Sequence, residues 1–304
     1  MTRLLTMYCA VKNIENFQIA GTSVKTLGAM MKNIDIASLV KSLKGNRLSA
    51  YMKVMLQIYR LYEKKVNDEL YFRAKKEFLA NISEFEQISR FTVFSFLYSY
   101  TVTQINNRRT EFVNEIYDLL KLIIRYDAYR KAGNEYMPTM LFREMVLTGL
   151  KQNDIKGTEK FISDYTGSLA PGYKATMNKY SLGKINMHNR YYSKALKCYD
   201  EGPRNISILN LDMRIDSLVC LYELGLVDRY KEEISRNNTL LAGSKSITVF
   251  QRKSFKVFNG IMEKLLELKI NHDKGSKSKL LKEVSSRKIL HYKEWILKKI
   301  NEIS

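Results

Sequence analysis

The sequence predicts an all-α chain built of antiparallel helix hairpins. Three observations carry that reading. Apolar residues recur at helical spacing, residues that interrupt helices are scarce, and the prolines come at a nearly constant interval. Tyr51, Met55, Ile58, Tyr59 and Tyr62 share one face at i, i+4, i+7, i+8 and i+11. Only three prolines and 14 glycines occur among 304 residues, and both residue types break helices. Pro138, Pro171 and Pro203 stand 33 and 32 residues apart. Each precedes an expected helix, where its missing N–H costs nothing.

Taken in order, the first helices are expected near 23–31 and 35–44, closed by Lys44-Gly45-Asn46. Helix 48–65 carries the Tyr51 stripe, and 68–80 follows. Helix 86–105 presents Phe91, Phe94, Tyr98, Val102 and Ile105, and Asn106-Asn107 turns the chain into 109–129 with Val113, Ile116, Tyr117, Leu120, Ile123 and Ile124. Further helices are expected at 139–152, 155–165, 173–187, 191–201, 205–223 and 227–236. Two longer ones, 246–271 and 277–302, close the sequence. Links as short as Gln152-Asn153-Asp154 and Met187-His188-Asn189 force neighbouring helices to run antiparallel. Sustained strand alternation and Asn-Gly or Asp-Gly hairpin signals are absent. Residues 1–137 therefore read as N-terminal hairpins from pattern alone, 138–243 as repeats, and 244–304 as a basic pair of capping helices.

A period near 33 residues, one helix pair per period, marks helix-hairpin repeats. Residues inside the periods also correspond. Between Tyr180 and Tyr199 stand Leu182-Gly183, then Tyr192, Ala195 and Tyr199. Gly and Ala let two helices approach closely, and bulky aromatics fill the space between hairpins. This segment resembles one tetratricopeptide repeat. Leu182-Gly183 matches the Leu-Gly of its first helix, and the three later residues match its aromatic, alanine and aromatic. The stretch Leu221–Tyr230 repeats the pattern with Gly225 at the turn, but has Tyr230 where the family has a small residue. Leu147–Tyr165 has Asp154 at the turn and Thr158 at the small position. The resemblance spans about 139–237. It implies a right-handed, tetratricopeptide-like α-solenoid, here with long helices at both ends, that binds a partner without chemistry. In that family the first helix of each pair lines a concave groove, which would turn Asn178, Lys179, Asn186 and Arg214 toward a bound peptide. Tyr180, Tyr191 and Tyr222 are candidates for the same surface, because tyrosine buries apolar area and still offers a hydroxyl. Trp295, with Leu290, Ile296 and Ile300 nearby, reads as the anchor of a cap over the last apolar face.

The formal net charge is +20 with a pI near 9.6. Such a charge points to a nucleic-acid, anionic-lipid or acidic-protein partner. Lysines outnumber arginines about two to one, and Asn, Ile and Tyr are plentiful; an AT-rich genome would enrich that same set, and this alternative stays open. From Ser244 to Ser304 there are 15 Lys and Arg against six Asp and Glu, so +9 lies in this segment. Lys274, Lys277, Lys279, Lys282, Arg287 and Lys288 gather around one interhelix turn, as they would in a phosphate-binding surface. They would also do so on an ordinary solvated face. Arg108-Arg109 opens an expected helix, where cations oppose the helix dipole.

Signals of chemistry are missing. His188, His272 and His291 have no His or Cys at i+3 or i+4, and Cys9, Cys198 and Cys220 follow no zinc or disulfide spacing. There is no Gly-x-Ser-x-Gly, no Walker loop and no Gly-x-Gly-x-x-Gly. Glu84 with Glu86, and Glu232 with Glu233, read as solvated carboxylates. No apolar run approaches the roughly 20 residues of a membrane span. The short apolar stretch Leu4–Val11 lacks the cleavage site of a signal peptide. Buried thiols suit a reducing, cytoplasmic setting. The sequence thus predicts a non-enzymatic scaffold for a protein or peptide segment, an acidic one by charge, with no catalytic residue, metal or cofactor. The alternative is a nucleic-acid-associated helical-repeat protein that uses the basic C-terminal surface.

Overall fold

The computed structural model describes residues 2–16, 35, 38, 49–63, 67–130, 135–202, 207–243 and 247–303. These residues form α-helices joined by turns and two short 3-10 segments, with no strand among them. The helices expected near 23–31 and 35–44 lie outside the described residues but for Asp35 and Ser38, and Pro203 lies outside as well. The chain divides into two compact units, 1–152 and 153–304. The sequence boundaries at 138 and 244 fall inside these units.

The first unit holds α1 (Thr2–Asn16), α2 (Ala50–Glu63), α3 (Asp68–Ala80), α4 (Gln87–Asn106), α5 (Phe112–Arg125) and α6 (Thr139–Lys151). Helix α1 was not expected. It has no acidic residue in its first turn and no basic one in its last, so its termini carry little helical signal of their own. Packing supplies the reason it forms. Leu5 and Cys9, four residues apart, are fully buried, and Tyr8 meets the ring of Tyr59 on α2 at 5.1 Å. Helix α3 starts where the sequence places it, capped by Asn67, whose side chain accepts from Leu70 N.

Aromatic rings fill this core. Phe78 meets Phe85 and Phe94 edge-on at 5.0 and 4.9 Å, and Tyr71 stacks on Tyr100 at 5.1 Å with Phe112 against both. Such edge and offset contacts add to simple area burial. Helix α5 begins at Phe112 and not at Arg109, because Arg108 takes a left-handed φ of 65°. Arg109 stands ahead of α5, 5.0 Å from the Phe112 ring, with its charge countered by the carboxylates of Asp68 and Glu111. Its guanidinium reaches back to grip both carboxylate oxygens of Asp68, at 2.9 and 2.5 Å, in the first turn of α3.

The second unit holds α7 (Ile155–Tyr165), α8 (Pro171–His188), α9 (Tyr192–Glu201), α10 (Ser207–Glu223), α11 (Val227–Gly243), α12 (Val249–Asn271), α13 (Lys274–Ser286) and α14 (Lys293–Glu302). Consecutive helices pack together, and α8, α10, α12 and α14 also pack on one another in series. The α8/α9 hairpin is closed by small residues. Gly183 is buried against Tyr199, and a Cβ added there would overlap the Tyr199 ring; Ala195 is fully buried as well. Gly225 turns the chain between α10 and α11 at φ +68°, a conformation that glycine adopts at no steric cost. Asp154 caps α7 by accepting from Gly157 N at 2.9 Å. Tyr230 takes the place of a small residue without clash. It is fully buried and donates to Met262 O at 2.6 Å.

The register between α8 and α10 is constant. Tyr180 donates to Asp212, 32 residues on, at 3.0 Å, and Cys220 meets Met187, 33 residues back. Lys184 pairs with Asp216, 32 residues on, at 2.7 Å. One helix pair therefore advances the chain by the interval that separates the prolines.

The C-terminal segment departs from expectation. It contains three helices and not two, because the helix expected over 277–302 is broken at 287–292. Arg287 turns extended, and Tyr292 adopts φ 55°, which costs a non-glycine residue about 1–2 kcal/mol. Tertiary bonds offset that strain. The Tyr292 hydroxyl donates to buried Asp216 at 2.7 Å, and Lys293 Nζ donates to Ser285 O and Arg287 O at the end of α13. Trp295 anchors α14 to α10. Its indole N–H donates to Glu223 at 2.6 Å, and its ring meets Tyr222 at 5.3 Å.

Candidate functional site

An apolar cavity of about 440 Å³ opens in the first unit between α4, α5 and the start of α6. That volume falls within the ~300–1,000 Å³ of ordinary ligand pockets. Its walls are Phe91, Tyr98, Leu120, Tyr129, Pro138 and Leu141, with Met140 at the rim, 43% exposed. The regular stripe of α4 supplies Phe91, Phe94 and Tyr98 at i, i+3 and i+7, so one helix face builds one wall. Ser95, Ser99 and Glu144 are the polar lining groups, and Arg143 pairs with Glu144 at 2.5 Å. Burial, then the Glu144 carboxylate, pushes the Tyr98 phenol up to about 12. The cavity thus offers a neutral hydroxyl among apolar walls.

The second unit holds a buried polar network. Asp216 is fully buried and receives Tyr199, Tyr292 and Lys184, each at 2.7 Å. These partners come from α8, α9 and the turn before α14, so one carboxylate on α10 ties three elements together. Every contact is internal, and the network is satisfied rather than aimed at a ligand. Burial holds the Tyr199 and Tyr292 phenols well above their usual range.

The structure places the sequence candidates as follows. Lys179 pairs with Glu201 across the α8/α9 hairpin at 2.5 Å. Asn186 donates to Leu182 O at 2.9 Å within its own helix and lies beside Cys198. Arg214, 12% exposed, binds Glu233 and Asn237 of α11 at 2.8 and 2.9 Å. All three turn toward a neighbouring helix or their own. Tyr180 and Tyr222 are buried, whereas Tyr191 is exposed. The Tyr180 hydroxyl is used inside the fold, on Asp212.

The basic C-terminal cluster divides in two. Lys274, Lys279, Lys282 and Lys288 are exposed. Lys277 donates to Ile303 O, and Arg287 pairs with Glu283 at 2.8 Å. The cleft of about 400 Å³ between α12 and α13 is lined by Lys264 and Lys279, but also by Glu267, Asp273 and Glu283. Lys264, then Arg287, holds the Glu283 carboxyl below its usual range. A cleft with three carboxylates is a poor seat for a phosphate backbone. Of the exposed cations of this cluster, Lys279 lines the cleft, and Lys274, Lys282 and Lys288 are not among its lining residues.

Sequence reasoning missed the α4–α6 cavity. Its α4 wall was legible as a stripe, but that stripe reads equally as core. Ala128, Tyr129 and Pro138, which lie between α5 and α6 in the chain, join that stripe in lining the opening.

No group of His, Cys, Asp and Glu among the described residues is arranged to hold a metal, and no helix among them is long and apolar enough to cross a membrane. Cys9, Cys198 and Cys220 are free thiols, and burial pushes Cys9 up to about 12. Comparison with known family models, curated proteins and solved structures finds no match.

Proposed function

We propose that this chain is a helical-repeat scaffold that holds an apolar segment of a protein partner in the α4–α6 cavity. The observation that carries the binding role is the cavity itself. It is open and walled by aromatic and aliphatic side chains, with Ser95, Tyr98, Ser99, Tyr129 and Glu144 as its polar lining residues. A protein segment docking there would seat one or two apolar anchors, in the manner of a helix laid into a groove. The first unit carries 23 Lys and Arg against 14 Asp and Glu, a net +9. That field steers an acidic partner toward it.

The repeat architecture is part of the same reading. The constant offset of 32 and 33 residues between α8 and α10, with Gly183 under Tyr199, supports stacked tetratricopeptide-like hairpins forming a right-handed solenoid. A cytoplasmic setting fits the free thiols.

Met140→Asp tests this function. It places a charge at the cavity rim on an exposed position, so the fold is kept. Affinity capture from the source cell should recover a protein that nuclease treatment does not remove and that Met140→Asp loses about tenfold or more. Recovery that depends on nucleic acid, or that is equal for both proteins, overturns the proposal.

A further inference from the structure

Among the described residues, Val249, Phe250 and Ile289 are 84%, 70% and 73% exposed, while the next large apolar side chain, Ile88, is 56% exposed. All three belong to the segment that carries +9. Large apolar side chains left in water next to cations have a physical cost and call for an explanation. We propose that the start of α12 is a docking point for an anionic lipid surface.

The local structure presents these residues on an ordered turn. Thr248 and Gln251 form a reciprocal capping box at the head of α12, with Gln251 N donating to Thr248 at 3.2 Å and Thr248 N donating to Gln251 at 3.0 Å. Val249 and Phe250 therefore sit in the first turn of a formed helix. Lys253 and Lys256 are exposed on the same side, at i+4 and i+7 from Val249. Between Val249 and Gly260 there are three cations, Arg252, Lys253 and Lys256, and no carboxylate. The turn with exposed Lys288 and Ile289 meets α12 farther along, where the His291 ring lies 6.0 Å from Phe258, nine residues past Val249.

The chemistry selects the occupant. A second copy would bring two +9 segments face to face. A nucleic acid would use the lysines and could stack on Phe250, but it gives Val249 and Ile289 nothing to do, since neither has a face for a base. The first turn of a helix is a protrusion without walls, so it does not receive an anchor; it becomes one. A bilayer interface takes an apolar tip among its acyl chains while lysine ammonium groups stay at the headgroup phosphates. Each cation near such a surface strengthens binding about fivefold, and the association is reversible and weakened by salt.

Co-sedimentation of the full chain with vesicles is the test. Vesicles of phosphatidylcholine alone are compared with vesicles holding about 30 mol% phosphatidylserine. The chain should pellet with the anionic vesicles at low salt and not with the neutral ones. Val249→Ser with Phe250→Ser keeps every charge and should weaken binding at least tenfold. Lys253→Gln with Lys256→Gln keeps the apolar tip and should weaken it by more than tenfold, with a shallower salt dependence. All four positions are exposed, and unchanged far-ultraviolet circular dichroism confirms folding. Failure to pellet with anionic vesicles at low salt overturns the proposal, as does equal pelleting of the serine variant. Vesicle binding displaced by a mixed-sequence oligonucleotide, with the serine variant unaffected, overturns it in favour of phosphate-backbone binding.

Discussion

The two units bury different chemistry. Among the described residues, the first buries Thr101, Gln104 and Thr148 as its polar groups and no charged side chain. The second buries Asp212, Asp216 and Glu233 together with Asn237 and Asn259. Rings therefore fill the first core, and a polar ladder runs through the second. Apolar contacts are non-directional and tolerate repacking. A buried carboxylate with three partners accepts one arrangement of helices only. The first unit can thus leave a cavity beside α4, whereas the second has its register held from α8 to α14.

The largest effect expected from this contrast is at Asp216. Asp216→Ala leaves Lys184, Tyr199 and Tyr292 without their common acceptor, and breaking a buried pair costs about 3–5 kcal/mol. The lone tryptophan, Trp295, lies in the same unit against Tyr222, so its fluorescence reports unfolding there. Chemical denaturation should show a lower midpoint, and Asp216→Asn should recover part of it. An unchanged fluorescence midpoint for Asp216→Ala would sink the idea that this network sets the register.

The second effect is steric. Gly183→Ala adds a methyl group where the Tyr199 ring lies. That ring is fully buried and tethered through its hydroxyl to Asp216, so it has little room to give. Overpacking of this kind costs about 1–3 kcal/mol, read again from the Trp295 transition. Gly172→Ala, in open space on the same helix, is the control and should leave the midpoint in place or raise it.

Much of this was legible before any coordinates. Helical spacing located most helices, because burial of one face repeats every three to four residues. Leu182-Gly183 with Ala195 and Tyr199 announced the close α8/α9 approach, because that contact depends on residue size alone. Other features depend on contacts far away in sequence. Helix α1 forms through Tyr8 on Tyr59, and the break at 287–292 through Tyr292 on Asp216, 76 residues away. No local pattern encodes either. Arg214 read as a surface cation for the same reason; only the fold shows Glu233 and Asn237 waiting for it. The exposure of Val249 and Phe250 was not legible either, since a helix start has the same sequence whether its apolar residues are packed or bare.

The smallest effect belongs to the first unit, at the partly exposed Asp68–Arg109 pair. Asp68 accepts from Arg109 and Tyr100, and Arg109 holds its carboxyl below the usual range. A carboxyl depressed in the fold binds protons more weakly there than in the unfolded chain. Its contribution is therefore full above the unfolded value of about 3.9 and is lost as pH falls through the folded value. Asp68→Asn should lower the thermal midpoint modestly at pH 7, as followed by circular dichroism, because the pair is partly exposed and screened by solvent. The gap between wild type and variant should close as the pH is taken below that range. A gap that persists in acid would mean that Asp68 acts through the hydrogen bonds its two oxygens accept from Arg109 and Tyr100, which an asparagine amide cannot fully reproduce, and not through its charge.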